Sequence, residues 1–318
     1  MLQQTRVSVV IPYYHRFLER FPTVAALAAA DEDDVLAAWS GLGFYRRARN
    51  LHAGAREMVA EHGGEVPRDP TTLLTIKGIG RYTVGAVLSA AFDQRLPILD
   101  GNVIRVLSRV FRVDGAPDKG ATLSELWRLA EAVLPEQRPG DFNQALMDLG
   151  ATVCKPAGPL CERCPLEAVC AGRREGDADA FPRPKRKQTV TFEVRAAVRL
   201  DLPDGRFLLE RRAGRGLLGG LWELPAVTVP DGGSPEDRAH ALLRELKRHH
   251  GVQVDPLTHR GTTEHRFSHR HWTTWVFRAS ARPEALSDSE APERRWVHAG
   301  DLEELGVPTV SRKALELE

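Results

Sequence analysis

The sequence predicts a multidomain protein: an all-α N-terminal domain that ends in a cysteine-bearing metal loop, followed by a smaller α+β domain. Three observations carry this. Up to residue 172 the chain reads as Ala-rich windows punctuated by helix start and stop signals, whereas from residue 191 short alternating runs take over. Between them, Phe181-Pro182-Arg183-Pro184-Lys185-Arg186-Lys187 combines two prolines with a basic run, which marks residues 173–190 as a linker. All four cysteines fall in one short stretch, Cys154-x6-Cys161-x2-Cys164-x5-Cys170. A length of 318 residues suffices for two cores, expected over 1–172 and 191–318.

The elements follow from local chemistry. Ile11-Pro12 reads as a turn, since proline donates no amide hydrogen bond inside a helix. Thr23 and Asp31 are candidate N-caps, and Asp69-Pro70 is a cap followed by proline at the first helical position. A helix beginning near Tyr45 should end at Gly63-Gly64. Leu73-Leu74-Thr75-Ile76-Lys77-Gly78-Ile79-Gly80-Arg81-Tyr82-Thr83-Val84-Gly85-Ala86 reads as a helix end, a two-glycine turn and a second helix, and Asp100 suits the N-cap of a helix over 101–111. In the second domain, Phe192 to Val198 and Thr273 to Phe277 are strands, and Pro235 to His250 is a helix among them. No internal repeat is evident.

Composition excludes several classes. Met1 to Arg6 lacks the basic start and apolar run of an export leader, and no stretch approaches the roughly 20 apolar residues that span a bilayer. A soluble protein without a membrane partner is therefore expected, taken as a cytoplasmic monomer. The net charge of +1 gives no global pull toward a polyanion, so any nucleic-acid contact must come from a local face.

Four thiols confined to residues 154–170 suit metal rather than disulfides. The spacing fits a 4Fe-4S cluster, whose four irons each take one sulfur ligand, with a structural zinc ion as the alternative. Either site requires reduced thiols at assembly.

The two-glycine hairpin aims backbone N–H groups and a helix N-terminus at a phosphate without reading a base. Leu99-Asp100-Gly101-Asn102-Val103 follows about twenty residues on, and then the cysteine loop. Together with Met1-Leu2-Gln3-Gln4-Thr5, Ile11-Pro12-Tyr13-Tyr14, Trp39-Ser40-Gly41-Leu42-Gly43-Phe44-Tyr45 and Phe142-Asn143-Gln144-Ala145, these motifs make the chain resemble the helix-hairpin-helix DNA glycosylase superfamily, and within it the MutY family. The resemblance covers almost the whole first domain. It implies base-excision repair of adenine mispaired with 8-oxoguanine or guanine in double-stranded DNA, and a 4Fe-4S cluster on Cys154, Cys161, Cys164 and Cys170.

Removing a purine leaves an oxocarbenium-like sugar, which a fixed carboxylate stabilises as in glycoside hydrolysis. The resemblance assigns that role to Asp100, supported by Asn102, and places Tyr82 beside the reacting nucleotide. Glycosylases that also cut the strand carry a Schiff-base lysine at the position of Tyr82, and tyrosine cannot form that bond. A monofunctional enzyme is therefore expected. DNA contacts are implied for Gln4, which intercalates, for Phe44, which stands where tyrosine is usual, and for Lys77, Gly78 and Gly80 of the hairpin. Arg46, Arg47 and Arg49 could face phosphates or form a solvated face. The family's general acid, a glutamate two residues before the Met-Leu-Gln-Gln motif, is not in the 318 residues. The 318-residue polypeptide is expected to be impaired, and a start upstream is expected to restore the acid.

From Thr191 onward the chain looks like a Nudix domain: Gly216-Leu217-Leu218-Gly219-Gly220-Leu221-Trp222-Glu223-Leu224-Pro225 precedes a helix bearing Glu236, Arg244 and Glu245. Arg248 and His249 occupy the places of two magnesium-holding glutamates, so hydrolysis should be lost and recognition kept. The resemblance implies that Phe267, Ser268 and His269 read 8-oxoguanine. His265, His269 and His271 read as one strand face rather than a metal cluster. Competing functions are a catalytically inactive mismatch-binding protein, a Nudix hydrolase with a DNA-binding domain, and an abasic-site lyase.

Overall fold

The computed structural model describes residues 1–184, 189–214, 216–250, 256–281 and 293–317. The side chains of Glu245, Arg248, His249 and His250 lie outside the described residues, as do Lys185, Arg186 and Lys187 of the expected linker. The chain forms two compact units, one made of Met1–Arg56 with Gln188–Glu318 and the other of Glu57–Lys187.

The helices run α1 (Val7–Arg20), α2 (Val24–Ala29), α3 (Glu32–Ala38), α4 (Arg46–His62), α5 (Pro70–Thr75), α6 (Arg81–Phe92), α7 (Gly101–Val110), α8 (Gly120–Val133), α9 (Pro139–Thr152) and α10 (Ala171–Arg174). Several boundaries fall where local chemistry puts them. Thr23 and Asp69 each accept a hydrogen bond from the backbone N–H three residues on, while Asp31 occupies a cap position without such a bond. α4 stops where Gly63 and Gly64 take φ of 63° and 82°, the left-handed region open to glycine. Pro12 does not make a turn, because α1 continues through it. Val10 and Phe17 are buried on either side of Pro12, so packing of the helix face overrides one lost backbone bond.

In the first unit, α1 to α4 enclose Phe17, Val35, Leu36, Trp39 and Tyr45, and Leu221 from the C-terminal part of the chain completes that core. The sheet of this unit comprises β1 (Thr191–Asp201), β2 (Phe207–Arg211), β3 (Trp222–Glu223), β4 (Ala226–Val229), β5 (Thr258–Arg266), β6 (Arg270–Ser280) and β7 (Arg294–Val297). Its order is β3-β2-β1-β6-β5, with β4 paired to β1 and β7 to β2. The β1–β6 pair is parallel, from Thr191 opposite Arg270 to Asp201 opposite Ser280, and the other pairs are antiparallel. Alternation along β1 feeds two cores: Ala196 and Val198 meet Leu242 and Leu246 of α11 (Pro235–His250), while Ala197 joins Leu209, Val276 and Ala314. Ala314 belongs to α12 (Thr309–Leu315), which the strand-and-helix pattern does not predict.

The second unit closes around α7. Ile98, Val103, Val106 and Leu107 pack against Leu126, Leu129 and Leu146 of α8 and α9. Within the expected linker, Phe181 is buried, between the guanidinium groups of Arg112 and Arg183. No helix of the described residues is long and apolar enough to cross a membrane.

Candidate active site and metal loop

The turn between α5 and α6 is built on Gly78, whose φ of 83° strongly favours a residue without a Cβ. Gly80 caps α6 and supplies no side chain, so the first-turn N–H groups of α6 stay free of an intramolecular cap. The Lys77 N–H donates to the Glu57 carboxylate at 2.6 Å, a partner that motif reading missed. Further along α6, a Cβ on Gly85 would overlap the Pro97 carbonyl. That close approach seats the extended segment 97–99, which delivers Asp100.

Asp100 is both cap and candidate catalytic group. Its Oδ1 accepts from the Val103 N–H at 2.8 Å and its Oδ2 from the Asn102 amide at 3.0 Å, which fixes the carboxylate plane. Asn102 is held in turn, since its Oδ1 accepts from Arg105 at 2.8 Å. Arg105 also donates to the carbonyls of Gly150 and Cys154, both at 2.7 Å. Tyr82 is half-buried, with its hydroxyl 3.5 Å from the Met147 sulfur. Burial first, and the Asp100 charge second, raise its phenol above the ordinary value, which places ring and carboxylate in one neighbourhood.

All four cysteines line a single pocket with Arg109, Leu166 and Arg173. Arg109 is 2% exposed and donates to the carbonyls of Lys155 at 2.6 Å, Pro156 at 3.1 Å and Phe181 at 2.9 Å, and reaches the Cys154 sulfur at 3.4 Å. Burial raises the Cys161 and Cys164 thiols. Among the described residues no three His, Cys, Asp or Glu side chains converge on one ion-sized point. Four thiols lining one pocket are the residues that could hold a metal centre, and both a 4Fe-4S cluster and a zinc ion take thiolate ligands. Arg105 and Arg109 were missed in the motif reading; two arginines four apart on a helix otherwise rich in Val, Ile and Leu are the available signal.

In the other unit Gln4 and Phe44 are exposed and both have left-handed backbone, with φ of 62° and 47°. Neither is a glycine, and such conformations concentrate at functional sites. Of the three arginines, Arg49 pairs with Glu32 at 2.9 Å and Arg47 turns inward onto backbone carbonyls.

Phe267-Ser268-His269 forms the turn of the β5–β6 hairpin, with the Phe267 N–H bonded to the Arg270 carbonyl at 2.8 Å. Ser268 and His269 are exposed at its tip, and the Thr191 N–H braces the turn from β1 through the His269 carbonyl at 3.0 Å. Phe267 lies between His265 and Trp272, at 4.5 and 4.9 Å between ring centroids. Trp272 stacks on Arg195, which pairs with the buried Glu223. The three histidines do not share a face: His265 stands opposite Trp272, His271 opposite Arg266, and His269 lies in the turn between the strands. In the Gly216–Pro225 segment, Leu221 is fully buried against α1 to α4.

A two-glycine hairpin delivering a fixed carboxylate, beside a four-cysteine loop, defines a helix-hairpin-helix base-excision protein. Residues 1–132 match the family described as HhH-GPD superfamily base excision DNA repair protein, and residues 196–317 match the NUDIX domain. A solved thermostable thymine-DNA glycosylase superposes with a TM-score of 0.50 at 29% identity, covering 55% of this chain and 80% of that one. Adenine DNA glycosylases from Rattus norvegicus and Homo sapiens are each 36% identical over the whole chain, which spans 70% and 66% of their respective lengths. The Schizosaccharomyces pombe adenine DNA glycosylase is 32% identical over the whole chain, which spans 79% of it. The chain belongs to the adenine DNA glycosylase family.

Proposed function

We propose that this protein hydrolyses the N-glycosidic bond of adenine mispaired with 8-oxoguanine or guanine in duplex DNA. The observation that carries the reading is the Asp100 carboxylate, locked by Val103 and Asn102 where the hairpin's second helix hands the chain to α7. A carboxylate so fixed stabilises positive charge on the sugar as the base departs, without reorganising during the reaction. Gly78, Gly80 and Lys77 seat a DNA phosphate at the uncapped start of α6. Gln4 and Phe44 fill the gap left when the nucleotide rotates out of the stack. Tyr82 contributes a ring and a hydroxyl but no amine, so base loss proceeds without strand cleavage.

The four cysteines hold a 4Fe-4S cluster, which when bound cross-links the 154–170 loop. Phe267, Ser268 and His269 read the orphan 8-oxoguanine, with Ser268 hydrogen-bonding the altered edge. The module over 191–318 acts as a reader rather than a hydrolase, since Arg248 and His249 stand in the sequence where two magnesium-holding glutamates would be needed. The proposed domain plan is a glycosylase domain over residues 1–172, a linker at 173–190 and the reader over 191–318.

Single-turnover assays on duplexes carrying 8-oxoguanine:adenine, guanine:adenine and thymine:adenine test this, using the cellular protein with its start fixed by mass measurement. Free adenine from the first two, with strands cut only after alkali and no borohydride-trapped adduct, is the expected result. Binding without excision, a trapped adduct, or pyrophosphate release from nucleoside triphosphates would refute it.

A further inference from the structure

Arg47 lies on α4, three residues after Phe44, yet its guanidinium points away from solvent phosphates. It donates to the carbonyls of Met1 at 2.6 Å and of Gln3, and to the Thr5 hydroxyl at 3.0 Å. It also donates to the carbonyls of Leu42 and Gly43, both at 3.2 Å, while lying over the rings of Trp39 at 5.3 Å and Phe44 at 5.4 Å.

We propose that Arg47 is the positioning residue for strand intercalation: it ties segment 1–5 to the loop at 41–44 and so sets Gln4 and Phe44 in place before DNA arrives. The proposal rests on reading those two side chains as the wedge. Its contacts bracket both of them. Gln3 and Thr5 flank Gln4, and Gly43 precedes Phe44, whose ring the guanidinium covers. Gln4 and Phe44 are also the two residues of these segments that carry left-handed backbone without being glycine. Such backbone persists only where the surroundings over-determine it, and here one side chain bonds both neighbours of Gln4 and the two residues before Phe44. Both terminal nitrogens of Arg47 are engaged, and its Nε is buried without a partner among the described residues. A phosphate could be held only by breaking these bonds. The planar fork of donors is what spans two segments; a lysine has a single nitrogen and cannot reach both.

The test uses the full chain and a duplex with a fluorescent purine analogue opposite 8-oxoguanine, whose emission rises when it leaves the stack. Arg47→Lys should bind the duplex with unchanged salt dependence while the extrusion equilibrium falls on the order of tenfold to a hundredfold, the scale of a misplaced group. Gln4→Ala and Phe44→Ala should lower the same signal. Unchanged extrusion in Arg47→Lys would overturn the proposal. So would a loss that only tracks affinity with a salt slope smaller by about one, the mark of a phosphate contact. If neither wedge variant changes the signal, the wedge reading falls and takes the proposal with it; if both do and Arg47→Lys does not, the proposal alone falls. Should Arg47→Lys fail to fold, Thr5→Val, which removes one arm of the link, decides the matter: a partial loss of extrusion supports it and none overturns it.

Discussion

Gly150→Ala probes how closely the Asp100 carboxylate, proposed as catalytic, depends on helix packing. An alanine Cβ there would sit 2.6 Å from the Asn102 Cβ and 3.0 Å from its Cα and carbonyl oxygen, about 0.8 Å inside ordinary contact. Two of those atoms are backbone, so relief requires the first turn of α7 to move, and Asp100 moves with it. Replacing a helix-interior glycine by alanine contributes about 1 kcal/mol, whereas overpacking costs about 1–3 kcal/mol. The net destabilisation is then about 0–2 kcal/mol, a melting shift of a few degrees. The rate should suffer more, since a displacement near 1 Å of a reacting group costs about a hundredfold. Gly140→Ala is the matched control: its Cβ would overlap the Ser89 carbonyl of α6, a helix contact of the same kind that leaves α7 untouched. Melting curves and single-turnover excision should be measured on both. If Gly150→Ala loses no more activity than Gly140→Ala at equal stability, the claim that α9 positions Asp100 is wrong.

Other perturbations separate roles that coincide in one residue. Asparagine caps helices about as well as aspartate, so Asp100→Asn should melt within about 0.5 kcal/mol of the unchanged chain while excision drops about a hundredfold or more. Arg109→Leu strands the carbonyls of Lys155, Pro156 and Phe181, and should cost about 3 kcal/mol or more together with the visible absorbance expected of the proposed cluster. Retention of both colour and melting temperature would contradict the assignment. His52 is 2% exposed, and burial first, with the Arg56 charge second, holds its imidazole below the ordinary value. Because the unfolded chain binds this proton more readily, the associated stability is present above about pH 6.5 and is lost as pH falls through the folded-state value. Thermal melts at pH 7.5 and 5.5 should therefore differ less for His52→Leu than for the unchanged chain.

What the chain determines by itself is whatever depends on neighbours within a few residues. The Thr23, Asp69 and Asp100 caps, the Gly63-Gly64 stop, the positive φ of Gly78 and the span of α11 are all set by bonds or sterics inside one turn of backbone. The grouping of the four cysteines is likewise visible in their spacing, whereas the roles expected of Asp100 and Tyr82 come from the family resemblance. Tertiary structure decided the rest. α1 passes through Pro12 because distant side chains bury Val10 and Phe17. β1 pairs in parallel with β6 across some seventy intervening residues, and Leu221 fills a core made by helices near the start of the chain. The partners of Arg47, Arg105 and Arg109 are mostly carbonyls, which every residue carries, so no pattern of side chains along the sequence can announce them; only the folded path brings those oxygens to the guanidinium groups.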